Sequence, residues 1–333
     1  MEGNMTENYE FDMCQRNDTA TTWVPAFLEY SFGTIGNVIA LVLLWINRRE
    51  HQWSSFYKLF TGLAITDFLG IFLTYPFVLH WYASKFTWCY SRPLCEFVSF
   101  TFVNAHLSGA LLICAMSVDR FMHLKYSAGY ETSSQHYTLI LVGIWITSSS
   151  IASLHILGVG KTKLYFPGSW CYFDFVGNTT GIRIMSYFYS TIGFIIILVT
   201  ITTNVNTIYR ICRDPELRVN LLDGNRVSGF YDSHVMIFLT AVTVFFVILW
   251  TPLVVDIYLH ATNIISHRET DAIELWLCRM CICNAIVDPW LYIVLRKESL
   301  RRIVLFYRRC RGTRDTQDVD DPGFKEIDTL LRQ

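Results

Sequence analysis

Seven apolar runs, separated by short polar stretches, leave this chain few architectures. They fall at 25–46, 56–81, 96–118, 137–159, 184–209, 235–260 and 271–295. A helix crossing the hydrocarbon core of a bilayer needs about 20 mostly apolar residues. Every run reaches that length, and none shows the period-two alternation of an outer-membrane barrel strand. Lipid offers the backbone no partners, so such runs close their hydrogen bonds internally as helices. The expected fold is an all-α membrane protein, a seven-transmembrane helix bundle over 25–295.

Charge supports this and sets the orientation. Only 17% of the 333 residues are charged and 52% are hydrophobic, against roughly 25% charged in soluble domains. The net charge of −1 is uninformative, because positive residues sort by side. Arg48 and Arg49 follow the first run, Arg210, Arg213, Arg218 and Arg226 the fifth, and Arg296, Lys297, Arg301 and Arg302 the seventh. The alternate loops are thinner, with Lys85 and Arg92, Lys161 and Lys163, then Arg268. The positive-inside rule therefore puts the N-terminus outside the plasma membrane and the tail in the cytoplasm. Residues 1–24 are polar and lack a signal peptide's apolar core, so the first span is expected to direct insertion. The acceptor triplets at Asn4, Asn17 and Asn178 all fall on the outer side, as N-glycosylation requires.

Four cysteines share that oxidising side: Cys14, Cys89, Cys95 and Cys171. Pairing is the default there. A Cys95–Cys171 bridge would pin the longest outer loop over the bundle, leaving Cys14 and Cys89 for each other. Cys114, Cys212, Cys278, Cys281 and Cys283 lie in or near spans and read as small buried hydrophobes.

Ionisable groups at membrane depth are costly and face cavities or partners. Asp67, Asp119, Arg120, Arg279 and Asp288 stand out, with Asn37 as a neutral companion. From Cys95 to Arg120 a helix rises about 37 Å, so the Asp119-Arg120 pair sits at the inner edge. Arg279 lies about 13 Å outward of Asp288. A lipid carboxylate would explain a guanidinium there, through a two-point charge-assisted contact. The plainer alternatives are snorkelling or pairing with Asp256 or Glu274. Upper span three, with Phe102, Val103 and Asn104, offers no acid for a cationic amine. Span seven has no lysine for a retinal Schiff base.

As a set, Gly36-Asn37, Leu63 to Asp67, Asp119-Arg120-Phe121, Trp145, Trp250-Thr251-Pro252 and Asp288-Pro289-Trp290-Leu291-Tyr292 resemble the rhodopsin-like (class A) G-protein-coupled receptors over about 25–310. Gly168-Ser169-Trp170-Cys171, Arg279 with Asp288-Pro289-Trp290, and Ile113 to Val118 are similar to prostanoid receptors of the prostaglandin E and prostacyclin branch. Two residues depart from that branch. Trp250 stands where prostanoid receptors usually carry a small residue, and Asp119 where they usually carry Glu.

The resemblance implies a receptor for a prostaglandin-like lipid acid, acting through a heterotrimeric G protein that stimulates adenylyl cyclase. Arg279, Tyr82, Ser169 and Trp170 would bind the ligand. Arg120 would couple to the G protein, held at rest by Asp119 and Asp232. Asn37, Asp67, Trp250, Pro252, Asp288, Pro289 and Tyr292 would form the activation core, and Asp67 and Asp288 would flank a water or sodium cluster. Arrestin and membrane lipids are further expected partners. Nucleic acid, a cofactor and a catalytic group are not expected: no Gly-rich phosphate loop, zinc-spaced set or nucleophile triad is present.

Leu300, Ile303, Val304 and Tyr307 share one helical face, so 296–310 reads as a membrane-surface helix, with Cys310 a palmitoylation candidate. Residues 311–333 read as a disordered tail. Two rivals stand: a receptor for another lipid or a peptide, and a transporter or channel. Against the latter, the chain has no internal repeat and no broken-helix pair.

Overall fold

The computed structural model describes residues 22–48, 55–126, 134–213, 233–264 and 271–295. Among these residues seven helices carry the fold: α1 (Val24–Ile46), α2 (Ser55–Ala83), α3 (Arg92–Lys125), α4 (Ser134–Ser153), α5 (Thr180–Arg213), α6 (Ser233–Ala261) and α7 (Asp271–Leu295). Between α4 and α5, β1 (Thr162–Tyr165) pairs antiparallel with β2 (Trp170–Phe173). Residues 1–21, 296–310 and 311–333 are outside the described set, and with them Asn4, Cys14, Asn17 and Cys310; so is Asp232. All but Val294 and Leu295 of the described residues belong to one unit, Met1–Ile293; those two open a second, Val294–Gln333.

Helix starts follow local chemistry. Pro25 and Pro93 sit in the first turns of α1 and α3, where a missing N–H costs nothing. Pro76, Pro252 and Pro289 lie inside α2, α6 and α7, which buried spans tolerate because neighbours absorb the freed carbonyls. Several helices outrun their apolar cores: α3 continues to Lys125 and α5 to Arg213. The hydrocarbon stops at the interface, but helical hydrogen bonding does not.

The fourth span corrects the sequence reading. The apolar run reaches 159, yet α4 ends at Ser153 and the chain turns through 154–159. Ser153 turns its hydroxyl back onto the Ser150 carbonyl, and Gly158 takes a φ of 99°, a left-handed angle glycine adopts readily. Apolarity alone does not separate a helix from an apolar turn. Among the described residues six helices are long and apolar enough to cross a membrane by length and composition; α4 is not among them. Its polar start, Gln135-His136-Tyr137, and its serines lower its hydropathy, and α3 partners two of those serines. Ser148 bonds Ser108 and Ser149 donates to Asn104 at 3.2 Å.

The exterior is apolar. Leu139 is 70% exposed, Leu198 66% and Ile146 62%. Such residues would be a liability in water and are an ordinary lipid-facing surface. Polar contacts are kept inside as interhelical ties. Trp145 donates to Thr66 at 2.9 Å. Asn37 donates to the Ala285 carbonyl at 3.1 Å, joining α1 to α7. Beside it, a Cβ on Gly36 would stand 2.7 Å from the Trp290 indole nitrogen, so only glycine lets α1 approach α7 this closely. Asn204 reaches Ser117 at 2.8 Å and Thr243 at 3.1 Å, tying α5 to α3 and α6.

Candidate functional site

The outer end is roofed by the β1–β2 hairpin, which the sequence reading left as loop. Its strands register Leu164 against Cys171 and Tyr165 against Trp170. Gly168, at φ 103°, makes the turn. Cys171 is bridged to Cys95 at the head of α3, as expected. Cys89 is disulfide-bonded as well; Cys14, its expected partner, lies outside the described residues. Tyr90 donates to the Ser169 carbonyl at 2.7 Å. Tyr172 donates to Tyr189 of α5 at 3.0 Å, and burial pushes the Tyr172 phenol up. His155, 2% exposed, meets Ser99 of α3 at 2.9 Å; burial lowers its imidazole to about 4.

Beneath the hairpin lies a narrow cavity of about 20 Å³, lined in part by Glu29, Tyr75, Phe102, Ser169, Trp170 and Arg279. Three of the four residues expected around a ligand carboxylate therefore share one space. The fourth, Tyr82, accepts from Arg279 Nη2 at 3.4 Å. Trp170 stacks on Tyr165 at 4.7 Å and donates to the Phe166 carbonyl at 2.9 Å, so its indole is fixed as a wall. The face of Trp276 lies 5.6 Å from the Arg279 guanidinium carbon. Phe102 borders the cavity, whereas Asn104 accepts from Ser149 of α4 instead.

Arg279 does not pair with Asp256 or Glu274. Those two carboxylates approach His260 instead, at 3.8 and 4.0 Å. The ionic partner of Arg279 is Glu29 of α1, with Oε1 at 4.0 Å from Nε. The other Glu29 oxygen accepts from Tyr75 at 2.8 Å. Glu29 is missing from the sequence-based set of intramembrane charges, although it lies inside the first apolar run and the same rule flags it. Tyr75 carries no such signal, since an aromatic in a span is unremarkable.

The inner end is more densely bonded. Asp119 accepts from Ser55 at 2.9 Å and Tyr137 at 2.8 Å, and His123 Nε2 lies 3.3 Å away. Arg120 Nε stands 3.9 Å from Asp119, its guanidinium 5.2 Å over the Phe56 ring. Ser55, Tyr137 and His123 are additions to the expected set. Only His123, four residues after Asp119 on one helix, could have been read from spacing.

Between the two ends runs the expected core. Trp250 is buried, stacked on Phe246 at 5.3 Å and near Tyr189 at 6.5 Å. Tyr292 packs on Phe60 at 4.8 Å and Phe238 at 6.2 Å. Asp67 and Asp288 are both buried. Asn284 donates to Asp288 at 3.2 Å, while Asp67 Oδ2 and Asp288 Oδ1 receive no hydrogen bond from the described residues.

A family model described as "7 transmembrane receptor (rhodopsin family)" matches residues 36–292. The chain belongs to the rhodopsin family of seven-transmembrane receptors. Among similar proteins, the human (Homo sapiens) prostaglandin E2 receptor EP4 subtype is 28% identical over 87% of this chain and 68% of its own. The mouse (Mus musculus) thromboxane A2 receptor is 28% identical over 87% of each chain. The rabbit (Oryctolagus cuniculus) prostaglandin E2 receptor EP3 subtype is 28% identical over 81% of this chain and 72% of its own. In backbone shape the chain is similar to squid rhodopsin, with a TM-score of 0.69, 15% identity, and coverage of 88% and 87% of the two chains. This rhodopsin-family receptor is thus a multi-pass membrane protein, and its family is one of receptors rather than enzymes.

Proposed function

We propose that this receptor binds a prostaglandin-like lipid acid and signals through a heterotrimeric G protein that stimulates adenylyl cyclase. The observation that carries the reading is the meeting of Arg279 and Tyr82 beside a cavity walled by Ser169 and Trp170, in a chain similar to prostaglandin E2 receptors. Arg279 supplies the fork for the carboxylate, Tyr82 a hydroxyl beside it, and the buried aromatic hairpin an apolar wall. The cavity has room for little more than a water molecule. A lipid therefore enters by moving the hairpin or the outer helix ends. That displacement passes down α6 and α7 through Trp250 and Asp288 and shifts a pre-existing equilibrium toward a form with the inner end open.

At that end Arg120 is the G-protein contact, Asp119 and Asp232 hold it at rest, and arrestin competes for the same opening. The N-terminus faces outward with Asn4, Asn17 and Asn178 glycosylated, and the receptor resides in the plasma membrane, where lipids cover the exposed apolar side chains. Asp67 and Asp288, with their unbonded oxygens, fit water or a sodium ion, for which carboxylate oxygens are suitable donors. Cyclic-AMP and calcium responses of expressing cells, set against an eicosanoid panel, test the reading. An acidic prostaglandin raising cyclic AMP is expected; silence across the panel overturns the ligand class.

A further inference from the structure

We infer that Glu29 is the built-in counter-anion of Arg279, and that it sets ligand specificity because an acidic head group must take the guanidinium from it. The inference rests on Arg279 being the ligand's anchor. Both side chains are 12% exposed and both line the same small cavity with Ser169 and Trp170. At 4.0 Å from Nε, Glu29 stands beyond the roughly 2.7–2.9 Å of a closed charge-assisted bond. It neutralises the arginine from the side, while Nη2 is turned to Tyr82. Its own position is fixed by the Tyr75 hydroxyl at 2.8 Å, so the negative charge stays in place when a ligand arrives.

The consequence is electrostatic. A carboxylate entering this cavity brings a second negative charge within a few ångströms of the first, where water screens them weakly. A neutral head group, such as an ester or alcohol, accepts from Arg279 or Tyr82 without that repulsion. The pocket is therefore less biased toward acids than an arginine without a counter-ion would be. Asp256 and Glu274 are turned to His260, while Glu96 pairs with Arg92 and Asp174 accepts from the Val176 and Gly177 N–H groups. Among the described residues the Arg279 charge is left to Glu29.

Glu29→Gln in the full-length receptor keeps size and an acceptor for Tyr75 but removes the charge. Two probe pairs read the result: prostaglandin E2 against its methyl ester in competition binding, and decanoate against decanol in thermal stabilisation of purified receptor in nanodiscs. The acid-to-neutral preference should rise about tenfold to a hundredfold in Glu29→Gln for both pairs. Tyr75→Phe, which frees Glu29 from its strut but leaves the charge, should raise that preference by less than Glu29→Gln does. If Glu29 only braces α1 against α2 and α7, both substitutions weaken acid and neutral probes alike, and the inference is overturned. Should Glu29→Gln not reach the membrane, Glu29→Asp withdraws the charge by one methylene; an unchanged preference there also overturns it. A decanoate gain with prostaglandin E2 inactive on every form keeps the inference and removes the prostaglandin reading. An active prostaglandin E2 with no change in preference does the reverse.

Discussion

At the outer end of the bundle Glu29 stands 4.0 Å from Arg279, and at the inner end Asp119 stands 3.9 Å from Arg120. The spacings nearly match, but the surroundings do not. Asp119 has two short donors, from α2 and α4, and a histidine on its own helix. Its charge is satisfied whether or not Arg120 remains, so the inner arginine can leave without stranding a buried carboxylate. Glu29 has one short donor, Tyr75, and leans on Arg279 for the rest. An ion pair built to open surrounds its acid with other donors. One that holds a binding site neutral keeps the two charges dependent on each other.

The largest effect that tests this contrast is Arg120→Ala. It should abolish agonist-driven nucleotide exchange while surface expression and agonist binding stay near wild type, because Asp119 keeps Ser55 and Tyr137. Radioligand binding and exchange measured on the same membranes decide it, and equal loss of both breaks the contrast.

Arg279→Ala comes next. An acidic eicosanoid should lose about 2–5 kcal/mol, the scale for breaking a buried charge pair, and its methyl ester far less. The same change strands Glu29, so thermal stability should drop and recover in the double substitution with Glu29→Gln. Arg279→Lys should rescue only in part, since an ammonium lacks the two-point fork. Similar losses for acid and ester dismiss Arg279 as the anchor.

His155 gives the outer end a pH dependence of its own. Its imidazole is held down to about 4 by burial, against roughly 6.5 in an unfolded chain. The unfolded state therefore binds a proton that the folded state refuses. This contribution is complete above about 6.5 and is lost as pH falls from there toward 4, by at most about 3 kcal/mol. Thermal unfolding against pH should show that slope in wild type and a shallower one in His155→Gln. Identical slopes remove the role. The smallest expected effect is Tyr137→Phe, worth about 1.5 kcal/mol for one bond to a charged group. With that donor gone, Asp119 turns toward Arg120, and basal nucleotide exchange should fall. A rise in basal exchange means Tyr137 restrains the open form by some other route.

Much of the fold was legible before any coordinates. Each apolar run became a helix because lipid leaves a backbone no alternative, and α7 spans the residues read for it. The fourth run misled because a composition count does not register the glycine at 158 or the serines facing α3. Arg279 and Asp119-Arg120 announced themselves through the cost of burying charge. Glu29 obeyed the same rule and could have been read.

What remained depended on three-dimensional proximity. Glu29 and Arg279 are 250 residues apart in sequence and neighbours only because α1 packs beside α2 and α7. Likewise Tyr137 meets Asp119 because α4 leans on α3, and Glu274 goes to His260 because the ends of α6 and α7 meet there, whereas Asp256, four residues before His260 on α6, meets it by helix spacing alone. The sequence by itself determined which groups would be costly to bury, since that follows from transfer out of water one residue at a time. Which partner each group received was decided by the tertiary structure, because pairing depends on helix rotation and depth, and hydropathy does not encode them.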